Sequence, residues 1–348
     1  MRKLLVITIL GILILPAMLM AQELKITGEI WNRWTLEMDS EDEILRNNFS
    51  VERGYIGLEP RFSDSVKGSF RVDIFSTDAL SDGAGLKLKY AYVDLKKLLP
   101  VKGMTTTVGL HKVYFGTIYD WSYDVIGKAP SDEYKIANSA DYGMSLHGGL
   151  PQGWGEYALG IYNGEGYKKY GDNLKDNINP AFLANLRLTP IEGITLGGSV
   201  LANSNQRKEL LEDGTDNPNY NDQILIDGLL GAAFGPADIW FEYINKDVKY
   251  PNDESRDYSA NVLMVKPCIN LKKIVGTDID LIARYDRWED GSAGDNVLTA
   301  ITGGINYNLP SMQLQLNYTN ASNSENGSDD SSTLMLQFKW KFSHTIKK

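Results

Sequence analysis

The 348-residue chain carries 45 acidic against 35 basic residues, a formal charge of −10, which excludes the positive field a nucleic-acid binder needs. Its single cysteine, Cys268, excludes an internal disulfide framework and an all-cysteine metal site, and reads as a small buried or lipid-facing side chain. The 33 glycines and 19 tyrosines fit a strand-rich chain with tight turns and aromatic belts.

In chain order, Met1–Ala21 reads as a secretory signal: Arg2 and Lys3 lead, Leu4 to Leu15 form the apolar run, and Leu19-Met20-Ala21 precede Gln22 as the cleavage site. The apolar run is shorter than the ~20 residues a spanning helix needs, so it is expected to be removed. No other long apolar run follows, and no linker divides residues 22–348, which are expected to form one domain.

Segments of alternating polarity then recur, near 24–38, 49–60, 65–76, 86–96, 104–116, 141–150, 155–163 and 180–189. They continue near 194–203, 223–234, 238–248, 259–268, 278–288, 297–308, 312–320 and 332–342. Sixteen is an even number, as single-chain bacterial barrels require. The connections sort by length. Pro60–Asp64, Pro151–Trp154, Pro190–Gly193, Gly235–Ala237 and Pro310-Ser311 are short; Asp39–Asn48, Gly116–Ala140, Gly164–Asn179, Ser204–Asp222 and Ala321–Ser331 are long. Short periplasmic turns opposite long external loops, behind a secretory signal, predict an all-β fold: a transmembrane antiparallel β-barrel of about 16 strands in the outer membrane.

The alternation also assigns faces. Val66, Phe70, Val72 and Ile74 point to lipid, leaving Lys67, Ser69, Arg71 and Asp73 inside. Leu86, Leu88, Tyr90 and Tyr92 are read as outward, with Lys87 and Lys89 inward; Met312, Leu314, Leu316 and Tyr318 oppose Gln313, Gln315 and Asn317. Near the C-terminus Leu334, Leu336, Phe338, Trp340 and Phe342 form one outward row, with Gln337, Lys339 and Lys341 behind it. A basic side chain facing lipid at the midplane costs roughly 2–4 kcal/mol, which constrains this phasing. The inner face is polar and charged, implying a wet lumen rather than a packed core. The chain continues past Phe342, so either the last strand runs on to about Ile346 or the assembly signal is internal.

Leu88-Lys89-Tyr90-Ala91-Tyr92-Val93-Asp94-Leu95, then Val108-Gly109-Leu110-His111-Lys112 running to Phe115-Gly116, resemble the early strands of the phosphate-selective porin (O/P-type) family. Arg53-Gly54-Tyr55-Ile56-Gly57-Leu58, Asp141-Tyr142-Gly143 with Leu159-Gly160-Ile161-Tyr162-Asn163-Gly164, and Ala283-Arg284-Tyr285-Asp286-Arg287-Trp288 are similar to further signatures of that group. The resemblance implies a 16-stranded homotrimeric porin with a long third external loop folded into the pore. In this chain that loop, Gly116–Ala140, holds Asp120, Asp124, Asp132 and Glu133 against Lys128 and Lys135, so phosphate specificity is not carried over.

Three candidate sites follow. Arg33, Arg53, Lys67, Arg71, Lys87, Lys89, Arg187, Arg284, Lys339 and Lys341 form a basic track on the inner wall, with Glu29, Asp73, Glu242 and Asp286 as balancing acids. Charge rings of this kind set ion preference; a mixed, weakly selective lumen is the reading preferred over a selective anion channel. At the constriction Asp120 and Asp124 are expected to oppose Lys67, Arg71 and Lys89. The aromatic–acidic run Tyr119–Asp124 could stack on sugars, but anchoring the loop to the wall is the simpler role. Asp141, Ser145 and His147 share a strand face and contain the ingredients of nucleophilic catalysis, yet they point into the lumen and no G-x-S-x-G elbow accompanies them. His111, His147 and His344 lie far apart, and the acidic runs lack the spacing of a calcium loop. The expectation is therefore a water-filled channel for passive diffusion of small hydrophilic solutes or ions, without cofactor, metal or catalysis, embedded in outer-membrane lipid. The alternatives are a substrate-specific anion channel and a plugged structural or adhesive barrel.

Overall fold

The computed structural model describes residues 21–77, 83–168, 179–205, 220–293, 296–324 and 330–348. The expected signal segment lies outside them apart from Ala21. Sixteen strands are present among the described residues: β1 (Glu23–Asp39), β2 (Ile44–Arg61), β3 (Val66–Ser76), β4 (Ala84–Lys96), β5 (Met104–Lys112), β6 (Ala140–Gly149), β7 (Gly155–Tyr162) and β8 (Ala181–Ile191). They continue as β9 (Ile194–Asn205), β10 (Asn221–Phe234), β11 (Ala237–Lys249), β12 (Tyr258–Asn270), β13 (Ile279–Asp290), β14 (Asn296–Leu309), β15 (Met312–Asn323) and β16 (Ser331–Lys347). Each pairs antiparallel with its sequence neighbours, and β16 closes the ring on β1 from Glu23↔Lys347 to Asp39↔Ser331. Closure leaves no sheet edge at the seam, which is what a sheet needs in a solvent that cannot hydrogen-bond to it. The last strand runs on past Phe342, one of the two alternatives read from the sequence.

The outward rows are apolar. Leu159, Ile161, Val200, Ile226, Leu314, Leu316, Phe338 and Phe342 are all exposed. A continuous apolar surface of this kind is an aggregation hazard in water and a lipid-facing belt in a membrane. Among the described residues no helix is long and apolar enough to cross a membrane; the strands do so instead.

Four features depart from the alternation read off the sequence. Asp39–Asn48 is not a long loop. Asp39 Oδ1 accepts from the backbone N–H groups of Glu41 (2.9 Å) and Glu43 (2.8 Å), and with Asp42 at φ 63° this closes a tight hairpin, so β2 starts at Ile44. β5 ends at Lys112 rather than 116, because the chain turns inward there. Next, β2 and β4 each carry a bulge, marked by register shifts at Trp31/Asn32 and Arg71/Val72. The bulge at Lys89 inverts the phase of β4, so Tyr90, Tyr92 and Asp94 face the lumen opposite Arg71, Ser69 and Lys67; Tyr90 and Tyr92 are not lipid-facing.

Fourth, the lumen is not wholly wet. Val113, Phe115, Ile118, Trp121, Val125 and Ile136 pack onto inward-facing Leu183, Leu225, Ile244, Val262, Met264, Cys268 and Ile282 in one buried cluster. On β8 to β13 the outward residues face lipid, while the inward row sets apolar residues among polar ones such as Arg187, Glu242 and Lys266, both against this loop. Cys268 belongs to the inner row.

Candidate functional site: a lumen crossed by loop 113–139

Loop 113–139 leaves β5 and crosses directly to the far wall. Gly116 (φ 50°) passes so close to β11 that a Cβ there would lie 2.2 Å from Glu242 Oε1. Its N–H donates to Ser199 Oγ on β9 (2.8 Å), and its carbonyl accepts from the Arg187 guanidinium on β8. Thr117 donates its backbone N–H (2.9 Å) and hydroxyl (2.5 Å) to the fully buried Glu242 carboxylate. Arg187 also pairs with Asp120 (2.5 Å) and lies 4.4 Å over the Tyr119 ring.

From there the loop follows the wall. Lys266 on β12 pairs with Asp124 at 2.7 Å. The Asp124 main-chain carbonyl accepts from Asn306 on β14 (2.7 Å) and Gln315 on β15 (2.8 Å), and the Tyr123 carbonyl from Lys339 on β16 (2.7 Å). Arg284 on β13 donates to the Lys128 carbonyl (2.6 Å) while paired with Asp286 (2.6 Å). Burial alone pushes the Asp124 carboxyl up, but the Lys266 ammonium more than offsets this and holds it below its ordinary value. One helical turn, Pro130–Glu133, precedes the return to β6, where Lys89 donates to Ser139 Oγ (2.5 Å).

On the β1–β4 side the loop tip meets a layer of rings and guanidinium groups. Arg53 lies 5.0 Å over both Trp31 and Tyr123 and 5.7 Å over Tyr55; Arg71 lies 5.7 Å over Tyr55 and 5.6 Å over Tyr90. Stacking on aromatic faces holds the Arg53 cation without consuming it in an ion pair, whereas Arg71 also reaches Glu59 at 3.5 Å. Above this layer, toward the long-loop end, is a cavity of about 1090 Å³ whose wall includes Arg33, Arg53, Asp73, Lys87, Lys89 and Arg284. Below it is one of about 290 Å³ reached by Glu29, Tyr55, Glu59, Arg71 and Lys341.

The thirteen sequence candidates therefore fall into separate groups. Arg53, Arg71, Asp73, Lys87 and Lys89 come together at the ring layer and the cavity wall above it, with Asp73 opposite Lys87 in the ladder and Lys87 Nζ 3.6 Å over the Phe75 ring. Arg187, Arg284 and Lys339 hold the loop. Arg33 is tied to Glu52 (3.1 Å) and Gln337 (2.8 Å) higher up. Lys67 and Lys341 sit toward the short-turn end, the latter 3.7 Å from Glu29. Asp120 and Asp124 do not oppose Lys67, Arg71 and Lys89; each is neutralised against the far wall. The sequence reading did not single out Trp31, Tyr55, Tyr90 or Lys266 as site residues, and it had Tyr123 only within the aromatic–acidic run Tyr119–Asp124. Consecutive charges at Glu52-Arg53, which strict alternation cannot place, were the available signal for the first bulge.

Asp141, Ser145 and His147 face inward as expected but do not form a relay. Asp141 accepts from the backbone N–H groups of Tyr142 and Gly164 (2.7 Å each), and a His147 ring nitrogen bonds Thr107 Oγ1 at 3.0 Å.

A closed ring of sixteen strands with a loop laid across its lumen decides the architecture. The chain has the fold of an outer-membrane porin. An anion-selective porin from Comamonas acidovorans matches it with TM-score 0.67 at 13% identity, over 92% of this chain and 99% of that one. OmpT of Vibrio cholerae, an outer membrane protein in its trimer form, matches with TM-score 0.64 at 13% identity, over 92% and 99%. The outer membrane channel DcaP of Acinetobacter baumannii matches with TM-score 0.62 at 12% identity, over 92% and 97%. No protein-family model matches this porin-fold sequence, and no curated protein does either.

Proposed function

We propose that this chain is an outer-membrane porin that passes small hydrophilic solutes by passive diffusion and catalyses no reaction. The observation that carries this is the combination of an apolar outer belt, a closed 16-strand ring and a lumen narrowed by loop 113–139 beneath a cavity of about 1090 Å³. Met1–Ala21 directs export and residues 22–348 form the barrel. The protein works as a homotrimer, a reading supported by the trimer form of one structural neighbour.

Within that function, the channel prefers anions. The loop's acids Asp120 and Asp124 are paired to Arg187 and Lys266, while Arg53 and Lys87 face the narrow layer and the space above it; Arg71 lies 3.5 Å from Glu59 and Lys89 is buried against Ser139. The anion-selective structural neighbour supports the same preference. Planar-bilayer recordings in a salt gradient test it. A reversal potential of anion-selective sign is expected; cation selectivity at neutral pH would overturn the anion preference. Absence of conductance from folded, inserted protein would overturn the porin reading in favour of a plugged barrel.

A further inference from the structure

On the short-turn side of loop 113–139 the lumen holds a niche that lies apart from the stacked arginines. It is a cavity of about 180 Å³ between the loop and the inner faces of β6, β7 and β8, and Gly149 on its wall leaves the room. Rings make one side of it. Tyr114 lies 5.1 Å from Tyr119 and 4.9 Å from His147, centre to centre, and all three line the niche.

Polar atoms make the other side. Tyr119 donates its hydroxyl to Glu156 Oε1 (2.6 Å), the Asn185 amide donates to Ser199 Oγ (3.0 Å), and His147 Nε2 is bonded to Thr107 Oγ1 (3.0 Å). Glu156, Asn185 and His147 thus each have one polar atom engaged. Among the described residues no hydrogen bond engages Glu156 Oε2, the Asn185 amide oxygen or His147 Nδ1. The Glu156 side chain is half exposed, so a solute in the lumen reaches it.

Charge selects what fits. Arg187 lies 4.4 Å over the Tyr119 ring and 3.9 Å from Glu156, so a cation entering the niche meets a guanidinium already there. An anion meets the Glu156 carboxylate, and no lysine or arginine is among the described residues lining the niche. A neutral solute rich in hydroxyls meets neither penalty. Hydroxyls donate to carboxylate and amide oxygens, and the C–H face of a saturated ring covers an aromatic one.

We infer that this niche is a weak binding site for a neutral pyranose sugar, with the Tyr114 and Tyr119 rings against its C–H face and Glu156, Asn185 and His147 on its hydroxyls. The inference rests on the porin reading above and names a solute class within it. A site in a channel must release what it holds, and an open niche with a few hydrogen bonds does so. Of the run Tyr119–Asp124, whose aromatics the sequence offered for sugar stacking, Trp121 packs into the buried cluster and only Tyr119 reaches this niche.

Saturation-transfer NMR on the full chain, in micelles of a detergent without sugar headgroups, tests the site. The probes are D-glucose and sorbitol, its open-chain reduced form. Transfer to the glucose ring protons is expected, with weaker transfer to sorbitol, which presents no ring face. Glu156→Ala is expected to weaken glucose binding roughly tenfold by removing the charged acceptor. Gly149→Leu fills the niche and is expected to abolish binding; the nearest atom to its new Cβ is the Gly155 carbonyl oxygen at 3.8 Å, an ordinary contact. No transfer to glucose, equal transfer to sorbitol, undiminished binding in Gly149→Leu, or displacement of glucose by inorganic phosphate overturns the inference. The comparison of glucose, sorbitol and phosphate on the unsubstituted chain stands even where a variant fails to fold. Planar-bilayer conductance of the same protein separates the two readings. A conducting channel that does not bind glucose removes the niche and leaves the porin, whereas a barrel that binds glucose without conducting does the reverse.

Discussion

The two sides of the lumen use charge differently. On the β8–β16 side, Arg187, Lys266 and Arg284 are each matched to a carboxylate and sit 7% exposed or less, and their work is to hold loop 113–139. On the β2–β4 side, Arg53 rests on aromatic rings and Lys87 lines open space, while Arg71 lies 3.5 Å from Glu59 and the buried Lys89 donates to Ser139. Basic residues look alike in a composition, yet Arg187, Lys266 and Arg284 are structural while Arg53 and Lys87 are available to a passing ion. Pairing state, rather than charge count, separates scaffold from selectivity.

Breaking the far side should have the largest effect. Arg284→Ala strands Asp286 in a site where both partners are about 95% buried and also frees the Lys128 carbonyl, so it should cost about 3–5 kcal/mol of unfolding free energy. Denaturant unfolding in detergent micelles reads this, and a loss under 1 kcal/mol would show that the pair is dispensable.

Breaking the near side should leave stability almost unchanged and move selectivity. Arg53→Ala is expected to lower the anion-to-cation permeability ratio roughly two- to tenfold, equivalent to about 0.4–1.4 kcal/mol. An unaltered reversal potential would remove Arg53 from the pathway.

Acid sharpens the comparison. The Asp124 carboxyl is held below its ordinary value, so its pairing with Lys266 contributes fully above the unfolded-state value and fades as pH falls through the lower folded-state one. Loop anchoring should therefore be constant near neutral pH and weaken in strong acid, seen as rising current noise in single-channel records. Asp124→Asn should abolish that acid dependence; noise that rises identically in the variant would assign it elsewhere. The smallest effect is expected from Lys67→Ala. Lys67 is exposed toward the short-turn end, where screening over a Debye length of ~8–10 Å leaves the reversal potential unmoved.

The barrel was legible because lipid enforces a simple code: each outward row must be apolar, and all sixteen alternating segments became strands. Loop sorting was legible in part. Asp39–Asn48 turned out to be mostly strand, while Gly164–Asn179, Ser204–Asp222 and Ala321–Ser331 fall partly outside the described residues. The site was less readable for two physical reasons. Bulges break the period that alternation relies on, so Tyr90 and Tyr92 were placed in lipid. The inner wall under the loop mixes apolar with charged residues, so Lys266, set between Met264 and Cys268, carried no polar pattern to mark it. Ion pairs such as Lys266–Asp124 join residues far apart in the chain and leave no local trace.

The bulge at Lys89 makes this protein sensitive to length as well as to composition. Beyond that point every assignment of inside and outside on β4 is inverted relative to strict alternation. Replacing Lys89 would change one side chain, whereas excising it would swap Tyr90, Tyr92 and Asp94 for Ala91, Val93 and Leu95 between water and hydrocarbon. A single codon lost is, in this strand, equivalent to several simultaneous substitutions, so natural variation at Lys89 should tolerate exchange far better than deletion.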